Sequence, residues 1–318
     1  MPSRPEAAPR ADAVSPSSDL VAPDPALDLI APDPPVRIWR GVAQADLDLT
    51  RPPPGCDLDQ AAWEGARSHD AIWVDGRPQG VQAAAGARLA VYTFASPPPP
   101  LCLTADRVLL DRDGVLAVSK PSGLSTQRTR ASAHRSLEAL LREATGDVGL
   151  RAVHRLDRDT SGVVLFARDG RTTGALHACF RAHRVEKRYL AIVAPPPDEA
   201  EFTVTGGLYR LPPPSTDPAP LRFGLGDHPE GRASETHFSV RAATAGRAWL
   251  EARPITGRTH QIRVHLAHRG CPILGDPLYG GAPAPRLWLH AEHLEIVIGG
   301  RPTALHCPPP PAMALGQG

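Results

Sequence analysis

Cysteine is sparse and scattered: Cys56, Cys102, Cys179, Cys271 and Cys307 are the five in 318 residues, and no two form a C-x-x-C pair. An odd, widely spaced set argues against a disulfide framework or a zinc knuckle and fits a reducing compartment. No apolar run approaches the length of a bilayer span, and the first residues carry Pro and Arg but no apolar signal core. A soluble, cytoplasmic protein without membrane contact is therefore expected. The H-E-x-x-H pattern of zinc hydrolases is missing as well. His260, His265 and His268 lie close together, but on a helix only His265 and His268 share a face, so no metal is expected.

Proline, in contrast, is abundant, at 37 residues. It gathers in the first 35 residues and at 52–54, 97–100, 195–197, 212–220 and 308–311, which marks connectors between folded segments. The net charge of +1 conceals an asymmetry: residues 1–60 hold 5 Lys/Arg against 10 Asp/Glu, and residues 151–290 hold 19 against 13. A basic half is compatible with a polyanionic partner and equally with ordinary surface charge.

These boundaries predict a disordered arm over 1–37, a small unit over 38–96, a large domain over 97–308 and a tail over 309–318. In the small unit the pattern gives a helix over 58–67, a strand running into the Asp75-Gly76 turn, and a strand over 86–92. The large domain opens with a hairpin over 108–123, followed by a helix over 134–143, a strand over 162–167, a helix over 172–184 and a strand over 186–193. A long excursion over 195–232 contains short strands such as 202–204. Strands over 235–240 and 248–253 and a helix of about three turns over 257–270 complete the pattern before the last strands. Lys120, at a strand end, is read as capping a turn.

The polar stretch 153–162, VHRLDRDTSG, packs acid, base and hydroxyl groups ahead of a β-branched apolar run. It is expected on the loop entering a buried strand, where a rigid sheet can hold reacting groups. The plain alternative is a binding module in which Asp157 and Arg263 are a structural ion pair.

Five ordered stretches bear on the choice: LAVSKPSGL, HRLDRDTSG, EKRYLAIV, TGRTHQIRVHLAHRGCPILGDPLYG and LWLHAEHLEI, spread over residues 106–300. Together they resemble the RluA-type pseudouridine synthases. The unit before them resembles the C-terminal part of an S4-type RNA-binding module, with a shortened helical half. The resemblance implies an α+β pseudouridine synthase fold, with a bent, mixed, mostly antiparallel sheet flanked by helices and preceded by the small S4-like α/β unit. It implies isomerisation of uridine to pseudouridine in ribosomal or transfer RNA, without cofactor; a monomer is expected, though the sequence itself does not set the oligomeric state. The alternative is a catalytically silent RNA-binding protein of the same fold.

By the same resemblance Asp157 is the catalytic carboxylate, acting as nucleophile at C1′ or as base at C2′ of the ribose. A carboxylate in a closed site needs a cation nearby to remain ionised, and Arg263 matches that partner. Tyr189 matches the tyrosine that packs on the target base and assists removal of the C5 proton, and Leu289 an apolar residue lining the base pocket. His154 and Arg155 fall at RNA-side positions, with Arg155 able to fill the gap left by an extruded base. Asp159 is read as a solvated or loop-stabilising acid, and Thr160, Ser161 and Gly162 as shaping the turn. The Pro-rich excursion and the residues after Lys120-Pro121 depart from the family pattern, so contacts that choose the RNA are expected there.

Overall fold

The computed structural model describes residues 36–78, 81–95, 103–212 and 221–313. The arm over 1–35, the connector at 97–100, the prolines within 213–220 and the tail after 313 lie outside the described residues.

The N-terminal unit contains β1 (Val36–Val42), β2 (Leu47–Asp48), α1 (Gln60–Ser68), β3 (Ile72–Val74), β4 (Arg77–Pro78), β5 (Gln82–Ala83) and β6 (Arg88–Phe94). Four of these strands form an antiparallel sheet in the order β1-β6-β3-β4. Asp59 starts α1 by accepting the Ala62 N–H at 2.7 Å, satisfying a donor that the helix leaves open. Trp63 from that helix is fully buried, and its indole donates to Leu49 O at 2.9 Å. Val36 and Arg37, which the sequence pattern put in the arm, instead pair with Phe94 and Thr93, and Val36 packs on the unit's core.

The larger sheet draws on β7 (Val108–Arg112), β8 (Val115–Lys120), β9 (Arg151–Ala152), β10 (Ser161–Ala167), β11 (Glu186–Val193), β12 (Glu201–Arg210), β13 (Phe223–Leu225), β14 (Arg232–Ala243), β15 (Ala248–Pro254), β16 (Leu289–Ile298) and β17 (Arg301–His306). Its main path is β13-β12-β14-β15-β11-β16-β10-β8-β7, with β17 beside β16 and β9 beside β10. The described pairings are antiparallel except between β10 and β16. The helices α2 (Leu137–Thr145), α3 (Gly170–Arg181) and α4 (Gln261–His268) flank it.

The strand period of two explains why the central strands are apolar throughout. Val115, Ala117, Val163 and Leu165 join the core under α3, whereas Leu116, Val118, Val164 and Phe166 join the core under α2. Burying each of the larger side chains contributes about 1.5–3 kcal/mol relative to exposure. Gly162 is required where β10 meets β16: its φ is +116°, and a Cβ there would lie 2.2 Å from Ala291 O.

Several boundaries differ from expectation. The helix over 134–143 begins only at Leu137, because Ser136 caps it and the residues before it are drawn toward the N-terminal unit. The helix over 257–270 shortens to Gln261–His268, since His260 has φ +58° and cannot continue a right-handed turn. The excursion is more regular than its prolines suggest: Glu201–Arg210 is one ten-residue strand paired along β14. Strand β17 follows a Gly299-Gly300 turn and lies beyond the last strand that the sequence pattern marks. Met313, which the sequence pattern put in the tail, is fully buried, and its carbonyl accepts from the Trp249 indole at 3.1 Å.

The two sheets are joined through residues 128–134. The guanidiniums of Arg128 and Arg130 both lie over the Trp73 ring, at 5.7 and 5.6 Å from its centroid, and the indole donates to Arg130 O at 3.0 Å. Ala131 is buried in the N-terminal core, and Ala133 N–H donates to His69 O at 2.8 Å.

Candidate active site

A cleft of about 320 Å³ opens where the loop before β10 and the strands β11 and β16 meet α4, and its lining includes all six residues selected from the sequence: His154, Arg155, Asp157, Tyr189, Arg263 and Leu289. Asp157 stands on the loop between β9 and β10, Tyr189 in β11, Leu289 at the start of β16 and Arg263 in α4. The register that sets Tyr189 against Ala291 and Ala191 against Leu289 brings β11 and β16 together at the cleft.

The Asp157 loop is pinned from outside by the segment after β8. Lys120, fully buried, donates from Nζ to Arg158 O at 2.8 Å, to Leu124 O at 2.6 Å and to Pro121 O at 2.9 Å. Gly123 N–H also donates to Arg158 O, at 2.9 Å, and Ser122 Oγ to Asp159 O at 2.7 Å. Thr126 Oγ1 donates to Leu156 O at 2.9 Å and accepts Leu156 N–H at 3.1 Å. Lys120 thus caps backbone carbonyls, as its strand-end position suggested. Thr126→Val should cost about 1–2 kcal/mol by leaving both Leu156 groups unpaired. Urea denaturation should show that loss and show Thr126→Ser close to wild type.

Arg263 binds elsewhere more tightly than expected. Its Nε and Nη2 donate to Asp276 Oδ2 and Oδ1 at 2.7 and 2.8 Å, while Nη1 lies 3.8 Å from Asp157 Oδ2. The sequence suggested Asp157 as the partner; the close partner is Asp276, fully buried, in the GDPLYG stretch. Burial pulls the Arg263 guanidinium down, but the bond and charge of Asp276, with Asp157 beyond, outweigh it and leave the group raised. The result is a fixed cation on the cleft wall facing Asp157.

Three further residues complete the wall. His260 Nε2 lies 3.9 Å from Asp157 Oδ2, and its Nδ1 is 2.8 Å from Tyr279 OH, which also accepts Phe223 N–H at 3.0 Å. Burial lowers the imidazole more than the Asp157 carboxylate raises it. Its αL backbone lets Gln261 fold the turn before it, with Oε1 accepting Arg258 N–H at 2.9 Å and Thr256 Oγ1 at 2.8 Å. Lys187 lines the cleft, lowered by burial to about 8. Thr160 Oγ1 is buried, lines the cleft and lacks a hydrogen-bond partner among the described residues. None of these carried a sequence signal beyond its place in a motif.

The residues expected to meet the substrate differ in state. Burial first, and the Asp157 charge second, raise the Tyr189 phenol, so it keeps its proton. His154 accepts Leu165 N–H on Nε2 at 3.1 Å and packs on Phe180 at 4.9 Å. Burial, then Lys187, lower it to about 3, so it is a neutral brace of the loop. Arg155 is exposed and has no ion pair or hydrogen bond among the described residues. Asp159 pairs with its neighbour Arg158 at 3.0 Å. Ser161, His290 and Arg286 form a buried chain, with Ser161 Oγ 2.7 Å from His290 Nδ1 and accepting from Arg286 Nη2 at 2.6 Å. They are at most 4% exposed, so this Ser-His pair holds strands together and meets no substrate.

Buried histidines also set the acid behaviour. His265 and His290 are fully buried, and burial lowers each from 6.5 to about 4. Below pH 6.5 the unfolded chain takes up protons that the folded chain refuses, so stability is present above that pH and is lost as it falls toward 4. Each histidine contributes a slope of at most about 1.4 kcal/mol per pH unit. Denaturation midpoints between about pH 7 and pH 5 should fall accordingly, and replacing His290 by a neutral isostere should flatten the slope.

A family model described as RNA pseudouridylate synthase matches residues 114–268, the span from β8 through α4. An RNA pseudouridine synthase of Zymomonas mobilis, itself uncharacterised, is 36% identical over 219 residues, covering 66% of this chain and 96% of that protein. The chain belongs to the RluA-type RNA pseudouridine synthases. Ribosomal large subunit pseudouridine synthase D of Xanthomonas campestris is 36% identical over 225 residues, which are 64% of this chain and 66% of that one. The match to ribosomal large subunit pseudouridine synthase C of Rickettsia bellii, 30% identical, covers 64% of its length. The chain thus spans just under two thirds of these two ribosomal relatives. Among solved structures, human RNA pseudouridylate synthase domain containing 4 has a TM-score of 0.54 at 26% identity, covering 64% of this chain and 89% of that one. The pseudouridine synthase fold is therefore the α+β sheet described above.

Proposed function

We propose that this protein isomerises uridine to pseudouridine in large-subunit ribosomal RNA, using Asp157 at the ribose. The observation that carries this reading is the convergence of Asp157, Tyr189, Arg263 and Leu289 from four separate elements on one cleft. The names of the Xanthomonas and Rickettsia relatives favour ribosomal over transfer RNA.

The reaction breaks the bond from C1′ to N1, turns the uracil, joins C1′ to C5 and moves the C5 proton, with no net oxidation. Asp157 either attacks C1′ or removes the C2′ proton, and each role splits the exchange into easier steps. Arg263, held by Asp276, fixes positive charge beside the carboxylate without competing for it as a close partner. Leu289 and Tyr189 flank the base, and the protonated phenol suits a packing and donating role better than a resting base. Thr160 Oγ1, unpartnered within the described structure, is available to the uracil edge. Arg155, exposed and unpaired among the described residues, is suited to occupy the space left by a flipped nucleotide.

The test is to map pseudouridine in total RNA from cells lacking the gene and from cells with it restored. Loss of a large-subunit site that returns with the gene supports the proposal. A change confined to transfer RNA redirects the substrate, and no change at any site favours a silent RNA-binding protein.

A further inference from the structure

A second groove, of about 600 Å³, opens beside the cleft and shares with it the wall formed by residues 257–259. Its lining includes Tyr209, Arg210, Phe223, Glu230, Arg232 and Arg258, so three guanidiniums face a single carboxylate. Arg210 ends β12 and Arg232 begins β14, where the register sets Arg210 opposite Phe223 and Arg232 opposite Leu208. Both arginines are exposed, and neither has an ion pair or hydrogen bond among the described residues. Arg258 is anchored differently, donating from Nε to Ala233 O at 3.2 Å.

The aromatic groups lie in ordered positions. Tyr209 stacks on His228 with ring centroids 4.3 Å apart and planes 7° apart. Gly224 makes room for it, because a Cβ there would come within 2.8 Å of the phenol ring. Phe223 meets the His260 ring edge-on at 5.7 Å, and His260 Nε2 is 3.9 Å from Asp157. The groove therefore runs directly into the wall of the catalytic cleft.

We propose that this groove binds the single-stranded RNA adjoining the target uridine, with Arg210 and Arg232 on phosphates and Phe223 and Tyr209 against bases. The proposal rests on the RNA-modifying reading above. Unpaired guanidiniums along a channel follow a phosphate backbone, and aromatic faces beside them hold unstacked bases. The elements that supply them, β12, β13 and the start of β14, belong to the excursion that departs from the family pattern. The same groove thus gives that departure a purpose in selecting the RNA.

The experiment uses the full chain carrying Arg210→Gln and Arg232→Gln together, titrated by fluorescence anisotropy against a labelled oligouridylate of about twelve nucleotides. Measurements run between about 50 and 200 mM salt. The Kd should rise about tenfold at the lower salt, and the slope of log Kd against log salt should fall by about 1.4, or about 0.7 for each phosphate that is no longer neutralised. Arg210→Lys with Arg232→Lys should keep the wild-type slope. Phe223→Leu should weaken binding about tenfold with the slope unchanged. On a modified RNA, once known, the glutamine pair should raise KM and leave kcat alone.

Unchanged affinity and slope in the glutamine pair overturn the proposal, as does a wild-type chain that binds no RNA at low salt. A fall in kcat without a change in affinity overturns it too, since the groove would then only support the cleft. Binding needs no turnover, so a wild-type chain that binds RNA but makes no pseudouridine counts against the isomerase reading and not against the groove.

Discussion

Asp157→Asn should lower pseudouridine formation by at least about a thousandfold while leaving the fold intact. The amide keeps the size of the side chain and can neither attack C1′ nor take a proton from C2′. Asp157 is 19% exposed at the side chain and its nearest cation, Arg263, is 3.8 Å away and already bonded to Asp276, so its removal strands no buried charge. Thermal unfolding should therefore barely move. Asp159→Asn supplies the contrast, because Asp159 pairs with Arg158 at the surface and should retain near wild-type turnover. The measurement is single-turnover pseudouridine formation with purified protein and the RNA identified by mapping. Equal activity in wild type and Asp157→Asn would falsify the assignment of the carboxylate.

Asp276→Ala should act in the opposite way, through stability. Its carboxylate is fully buried, binds Arg263 through both oxygens and accepts Leu278 N–H at 3.1 Å. Removing it leaves a guanidinium that is 4% exposed without its close partner, a change that costs about 3–5 kcal/mol. Urea denaturation should show that loss, and the folded fraction should also be slow, because Arg263 no longer holds its place on the cleft wall. A double change, Asp276→Leu with Arg263→Met, separates the two effects: it should recover much of the stability and none of the activity. If Asp276→Ala unfolds no more readily than wild type, the pair is not what fixes Arg263.

Much of this architecture could be read from the chain. The apolar run ahead of Ala167 announced the buried strand β10, and the Asp-Gly turn at 113–114 announced the hairpin of β7 and β8, whose second strand pairs with β10. The six residues line one cleft, and they were chosen together because the family resemblance carries them as a set. What escaped notice was geometry without a local pattern. Asp276 is thirteen residues beyond Arg263, and nothing in its neighbourhood distinguishes a buried partner from a turn residue. His260 looked helical because Gly257 and Gly270 bracket it together with the apolar positions Ile262, Leu266 and Ala267, while its positive φ accompanies a turn that the Gln261 side chain closes. The length of β12 was hidden by composition, since proline clusters at 195–197 and 212–220 flank the strand on both sides.

The junction between the two sheets bears on whether the halves of the chain are separable. The segment that receives Trp73 and buries Ala131 begins only two residues after Thr126, which is bonded to Leu156, and Leu156 adjoins Asp157. The N-terminal unit is therefore no detachable reader hung on an autonomous catalyst. Cutting it away would bare the surface on which residues 128–134 are moulded, and the slack would reach the Asp157 loop before it reached the strands of the large sheet.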